Sequence, residues 1–164
     1  DENTQERKEA LQYIQDYIKT FDRVDKTRFI SGRTSSFSSS TQTIQEKPLV
    51  IADTGHNEDG IKEVLENLKR YNYKTLHFVL GVVNDKDISK ILKLLPKDAT
   101  YYFCKATIPR ALDEKELSIQ ANKVGLNGKT FKSVAEALEK AKKQAKSNDL
   151  IFVGGSTFTV ADIL

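Results

Sequence analysis

From Pro48 to the end of the chain, short apolar runs alternate with segments of helical period, and this alternation constrains the fold more than any other feature. The runs are Leu49-Val-Ile-Ala52, Thr75-Leu-His-Phe-Val-Leu80, Thr100-Tyr-Tyr-Phe-Cys104, a weaker Lys129-Thr-Phe131 and Leu150-Ile-Phe-Val153. A strand that is apolar along its whole length has no face for solvent, so it must be covered on both sides. Helices are predicted between the runs: 58–71 with Ile61, Val64, Leu65 and Leu68, 87–95 with Ile88, Ile91 and Leu92, 113–123, and 133–146 with Val134, Leu138, Ala141 and Ala145. Strand, helix, strand in repetition predicts an α/β fold with a mostly parallel sheet and helices on both faces. No internal repeat accompanies it.

The chain before Pro48 reads differently. Residues 1–24 predict a helix with Leu11, Ile14, Ile18 and Phe21 along one face. From about Lys26 to Lys47 the periodicity disappears, and Ser35-Ser-Phe-Ser-Ser-Ser-Thr41 has the composition of a loop whose hydroxyls compete with regular backbone hydrogen bonding. Two parts are therefore expected: an N-terminal helix and Ser-rich linker over 1–47, and a folded domain over 48–164.

Composition narrows the class. Among 164 residues, 26 Lys and Arg against 23 Asp and Glu leave a net charge of +3, and the two signs are mixed almost everywhere. A nucleic-acid footprint would be more one-sided. No stretch approaches the roughly 20 apolar residues of a membrane span, and the acidic start is unlike a secretory signal. With one cysteine, Cys104, there is neither an intrachain disulfide nor a zinc knot. A cytoplasmic protein with no nucleic-acid or membrane partner is expected, with Cys104 a buried apolar group. The absence of Met reads as a mark of a fragment.

In a sheet of this kind ligands bind beyond the carboxyl ends of the strands. The first strand there ends in Asp53-Thr-Gly-His-Asn57 and runs straight into a helix, whose unpaired N–H groups and positive dipole end suit phosphate or carboxylate. Asp53 suits a ribose hydroxyl, Gly55 permits a tight turn, and His56 and Asn57 project toward the anion. The same loop also reads as a plain helix cap at Asn57 and a turn at Asp53, although one cap does not account for Asp, Gly, His and Asn so close together. The second strand leads into Gly81-Val-Val-Asn-Asp-Lys-Asp87, where Asp87 suits an N-cap, Asp85 either ends the strand or faces a ligand, and Lys86 reaches a phosphate. After the third strand, Pro109 stiffens the backbone before Arg110, whose guanidinium suits bidentate capture of a carboxylate. The last strand ends in Gly154-Gly-Ser-Thr-Phe158, where the glycines allow close approach and Ser156 and Thr157 suit both a helix cap and an anion. His77, between Leu76 and Phe78, reads as packed structure.

Taken in order, Asp53-Thr-Gly-His-Asn57, Asp85-Lys-Asp87, Pro109-Arg-Ala111 and Gly155-Ser156 resemble the C-terminal domain of folylpolyglutamate synthases and dihydrofolate synthases, within the Mur ligase superfamily. The resemblance covers about residues 48–164. It implies a Rossmann-like fold and ATP-dependent amide bond formation, in which a folate or dihydropteroate carboxylate becomes an acyl phosphate that the amine of L-glutamate attacks. It implies nucleotide contacts from Asp53, with Asp85 and Lys86 lining the cleft. It places His56 near the transferring phosphoryl group as the catalytic residue, with Asn57 assisting, and gives Arg110 and Ser156 the glutamate carboxylates. ATP and Mg2+ are expected mainly on a central domain, and no metal on this part.

Two features depart from the pattern. The Gly-Arg-aromatic-Gln or Glu element that usually precedes the first strand has Ser39-Ser-Thr-Gln42 in its register here, with Gly32-Arg33 farther upstream. No Gly-rich phosphate loop with Lys and Ser or Thr occurs in the 164 residues, so this stretch by itself is expected not to turn over. The rival readings are the equivalent domain of a Mur peptide ligase and a non-catalytic Rossmann-like binding module.

Overall fold

A computed structural model describes residues 41–84 and 87–164, together with Gln12, which is helical and exposed. The expected helix over 1–24, Gly32-Arg33, most of the Ser-rich stretch, and Asp85 and Lys86 lie outside the described residues.

The domain is a six-stranded sheet flanked by helices, in the order β1 (Thr41–Glu46), β2 (Leu49–Asp53), α1 (Glu58–Leu68), β3 (Leu76–Leu80), α2 (Ser89–Leu94), β4 (Thr100–Phe103), α3 (Glu114–Lys123), β5 (Gly128–Thr130), α4 (Val134–Gln144), β6 (Leu150–Gly154) and α5 (Thr157–Ala161). Across the sheet the strands run β1-β2-β6-β3-β4-β5. All neighbours are parallel except β1 and β2. The last strand thus returns to the centre, between the first two parallel strands.

The apolar runs occupy the central positions because both their faces are covered. Ile51, Phe78, Leu80, Tyr101, Phe103 and Phe152 meet Ile61, Val64, Ile91, Leu92, Leu117 and Ala121 of α1–α3 on one face. On the other, Val50, Ala52, Val79, Tyr102, Ile151 and Val153 meet Val134, Ala137, Leu138 and Ala141 of α4 and Phe158 and Val160 of α5. Phe78 stands at the centre of the first layer, its ring 4.7 Å from that of Phe152 and 5.4 Å from that of Tyr101. Burying one such side chain stabilises by about 1.5–3 kcal/mol. Asn57, Asp113 and Ser133 cap α1, α3 and α4 through their side chains. Cys104 is fully buried, and burial pushes its thiol well above the ordinary range, which keeps it unreactive.

β1 falls in the stretch whose periodicity predicts a linker. It pairs antiparallel with β2 from Thr41↔Asp53 to Glu46↔Leu49, with an irregularity between Thr43 and Gln45. Its sequence hides it: Thr-Gln-Thr-Ile-Gln-Glu carries one large apolar side chain, as an edge strand can. The expected boundary at Pro48 falls inside this hairpin, at the cis Lys47–Pro48 peptide.

At the amino ends of the central strands, the buried side chains of His77, Tyr102 and Asp149 join in a group that reaches the surface at Gln144. His77 Nδ1 lies 2.9 Å from the Tyr102 hydroxyl and Nε2 lies 3.0 Å from Asp149 Oδ2. Tyr102 donates to Gln144 Oε1 at 2.7 Å, and Asp149 also accepts from the Lys146 N–H at 2.9 Å. Burial raises the Tyr102 phenol to about 12, helped by the charge of Asp149. Burial also acts to raise the Asp149 carboxyl, but the hydrogen bonds from Lys146 and His77 outweigh it and hold the group below its ordinary value.

Candidate functional site

The carboxyl ends of β2, β6, β3 and β4 open onto one edge, and each continues into a loop the sequence marks for chemistry. Three steps of about 4.8 Å separate β2 from β4, so these loops span roughly 14 Å.

Asp53 ends β2 almost wholly buried. Its Oδ1 accepts the Gly55 N–H at 2.8 Å and its Oδ2 accepts the Thr41 hydroxyl at 2.5 Å. The carboxylate therefore shapes the turn and ties β1 to it. His56 and Asn57 are exposed. His56 Nδ1 lies 3.3 Å from the Thr54 carbonyl oxygen, an arrangement that suits a proton on Nδ1 and leaves Nε2 as the acceptor. Asn57 Oδ1 accepts the Gly60 N–H at 2.8 Å, the capping geometry, and Glu58 and Asp59 follow in the first turn. These carboxylates face the positive end of the α1 dipole, so the helix start is less open to a second anion than its N–H groups alone suggest.

A cavity of about 330 Å³ opens here, lined by His56, Asn57, Glu58, Asp59, Asp87, Lys90 and Ile91. It joins the β2 loop to the start of α2. Asp87 accepts the Ser89 N–H at 2.9 Å, and its hydrogen bonds with Ser89 hold the carboxyl below the ordinary range. Lys90, which sequence pattern does not single out, sets a cation among the three acidic side chains. Asp53, Arg110 and Ser156 do not line this cavity.

Arg110 is half-buried in the loop after β4. The Ala111 N–H donates to the Ile108 carbonyl at 3.2 Å, closing a turn with Pro109 and Arg110 at its corner. The loop is laced to the β3 exit: the Asn84 N–H reaches the Arg110 carbonyl at 2.6 Å, the Leu112 N–H reaches that of Val82 at 2.9 Å, and Val83 bridges Ala111. Asn84 is the last residue described before Asp85 and Lys86.

Ser156 is buried at the β6 exit, where Gly155 turns the chain at φ +104°. Its Oγ accepts the Thr159 N–H at 3.1 Å and lies 2.9 Å from Thr159 Oγ1. Thr159 donates its own hydroxyl proton to the Gly81 carbonyl at 2.9 Å, so between the two hydroxyls Ser156 is the donor. In this arrangement the Ser156 proton is committed within the protein. The approach of Thr159 also explains Gly81, where an added Cβ would stand 2.7 Å from Thr159 Oγ1. Ser156 and Thr159 share the spacing of a side-chain cap, the one signal by which sequence alone marks the pair.

The edge holds a half-cleft of acceptors and donors without a phosphate loop. Among the described residues, no three His, Cys, Asp or Glu side chains come together in a group that could hold a metal ion.

Comparison with known proteins agrees with the motifs. The profile of a family described as "Mur ligase, glutamate ligase domain" matches residues 41–157, beginning at β1. A probable bifunctional folylpolyglutamate synthase/dihydropteroate synthase of Haloferax volcanii is 36% identical over 119 residues, which are 71% of this chain and 14% of that protein. The dihydrofolate synthase/folylpolyglutamate synthase of Escherichia coli is 33% identical over 126 residues, 75% of this chain and 29% of its own length. The chain thus spans a minor share of these curated relatives. Escherichia coli FolC in complex with DHPP and ADP superposes with a TM-score of 0.68 at 29% identity, over 82% of this chain and 31% of that one. A Yersinia pestis enzyme of the same type superposes with a TM-score of 0.67 at 27% identity, over 82% of this chain and 31% of its own.

Proposed function

This chain belongs to the Mur ligase family as a glutamate ligase domain, and on that premise we propose that it is the glutamate-binding C-terminal part of an ATP-dependent folylpolyglutamate synthase. The observation that carries the reading is the gathering of four marked loops at one sheet edge, with His56 and Asn57 opening onto a cavity beside Asp87 and Lys90. Related solved structures support it: one holds DHPP and ADP, and another holds Mn, AMPPNP and L-glutamate.

In this reading ATP supplies the phosphoryl group that turns the folate or dihydropteroate carboxylate into an acyl phosphate. The residues of this chain bind and orient what reacts with it. The carboxylates of incoming L-glutamate go to Arg110, while its amino group suits the acidic cavity of Glu58, Asp59 and Asp87. His56, with Nε2 as acceptor, stands near the reacting groups, and Asn57 holds the loop that presents it. Ser156 fixes the floor beneath the glutamate, its hydroxyl committed to Thr159. Asp53 takes a ribose hydroxyl, and the nucleotide contacts that the resemblance gives to Asp85 and Lys86 lie outside the described residues. In this reading the phosphates and Mg2+ go to a phosphate loop elsewhere in the full-length enzyme. No helix among the described residues is long and apolar enough to cross a membrane. The reading as a folylpolyglutamate synthase implies a cytoplasmic enzyme.

The test is kinetic, in the full-length ligase carrying this domain. ADP release should require a folate or dihydropteroate together with L-glutamate, and Arg110→Ala should raise the KM for L-glutamate at least tenfold, about the loss of a charge-assisted bidentate contact. Preference for D-glutamate or diaminopimelate would move the chain to the peptide-ligase branch. An unchanged KM in Arg110→Ala would remove Arg110 from the glutamate site.

A further inference from the structure

Helix α5 is five residues long, and its two ends are held by different loops. At its start, Ser156 and Thr159 fasten it to the Gly81 carbonyl, at the exit of β3. At its far end stands Asp162, whose Oδ2 accepts both the Thr107 N–H at 2.7 Å and the Thr107 hydroxyl at 3.0 Å. A carboxylate at the C-terminal end of a helix faces the negative end of the dipole, so the position by itself works against stability. What the carboxylate reaches is therefore the point of interest. Two donors converging on one charged oxygen make a stronger tie than neutral hydrogen bonds do.

Thr107 lies in the loop after β4 that carries Arg110. The far end of that loop is laced to the β3 exit through Asn84 and Leu112. Its near end holds to α5 through Thr107, across 55 residues of chain. Without Asp162, the segment that leads into the turn at Ile108–Ala111 would lose its tie to α5 while the ties through Asn84 and Leu112 remain, and the position of Arg110 relative to Ser156 would be set less closely.

We propose that Asp162 is a positioning residue for Arg110: by gripping Thr107 it ties the Arg110 loop to the helix that starts at Ser156 and so sets the spacing of the two residues across the edge. The inference rests on the reading of Arg110 as a carboxylate-binding residue. It makes α5 a strut between the loops after β4 and β6, pinned to the β3 exit at its start.

Steady-state kinetics on the full-length ligase tests it. Asp162→Ala should raise the KM for L-glutamate about tenfold, the effect of losing hydrogen bonds to a charged group, with kcat and the KM for ATP within about twofold. Asp162→Asn, whose carboxamide oxygen still accepts the Thr107 N–H, should restore most of the loss, and Thr107→Ala should fall between. In an Arg110→Ala background, Asp162→Ala should add nothing, because the residue acts through Arg110. Should Asp162→Ala fail to fold, the Asn and Thr107→Ala variants decide by the same measurements, and glutamate KM values equal to wild type in both overturn the proposal. An unchanged glutamate KM in Asp162→Ala where Arg110→Ala raises it overturns the positioning role and leaves the glutamate site standing. A further rise in the Arg110→Ala background also overturns it. If Arg110→Ala itself has no effect, the assignment of Arg110 to the glutamate carboxylates falls and this inference falls with it.

Discussion

The two ends of the same parallel strands use polar side chains in opposite ways. At the amino ends, buried His77, Tyr102 and Asp149 join Gln144 at the surface in a group in which each ring nitrogen of His77 faces an oxygen. At the carboxyl ends, the polar groups are divided. Ser156, Thr159 and Thr41 are committed within the protein, while His56, Asn57 and Lys90 stand at the mouth of a cavity. The comparison teaches that a parallel sheet gives its binding edge room for ligand groups by having hydroxyls and glycines hold the loops from beneath. At the other edge, polar groups that no ligand needs pair with one another, although Asp149 Oδ1 is left without a partner among the described residues.

The largest effect should come from breaking the amino-end group. Asp149→Ala removes the partner of the buried His77 Nε2 and of the Lys146 N–H, and should cost about 3 kcal/mol in urea unfolding. The carboxyl of Asp149 is held below its ordinary value in the folded chain, so its contribution is present above that ordinary value and lost as pH falls through the depressed one. Wild type should therefore lose stability in acid more steeply than the variant, and parallel acid profiles would show that the network does not hold Asp149 ionised.

Gly155→Ala should have a smaller effect of about 2 kcal/mol. The residue sits at φ +104°, and a Cβ there would fall 2.4 Å from the Gly81 carbonyl oxygen, so the β6 exit must shift away from β3. Thermal unfolding measures the cost, and loss of glutamate affinity by more than the stability change would show that this turn shapes the site. The smallest effect on stability should come from His56→Ala, within about 0.5 kcal/mol, because the ring is exposed and makes one long contact. A larger loss would mean that the two ends differ less than the hydrogen bonding indicates.

Much of the fold was legible before any coordinates. The five runs from Leu49 onward became β2 to β6, and the four helical segments became α1 to α4, with ends displaced by a few residues. β1 was not legible, because an edge strand needs few apolar side chains and its Gln and Thr residues look like loop. At the site, the loops were legible from their position after strands and from Asp, His, Asn, Arg and Ser within them. What those side chains touch was not: Lys90, Thr107 and Asp162 carry no motif, Thr159 carries only a cap spacing, and the partners of Thr107 and Thr159 lie 55 and 78 residues away.

By itself, the sequence determined a parallel sheet covered on both faces and the loops where chemistry would gather, because period and apolarity are local properties of the chain. The tertiary structure alone decided that Ser156 gives its proton to Thr159, that Glu58, Asp59 and Asp87 temper the anion-binding end of α1, and that Asp162 grips the loop of Arg110. The last spans 55 residues of sequence, and the first follows only because the Gly81 carbonyl, 78 residues from Thr159, takes the Thr159 proton. Hydrogen bonds form or fail over a few tenths of an ångström, a scale that no local pattern of residues encodes.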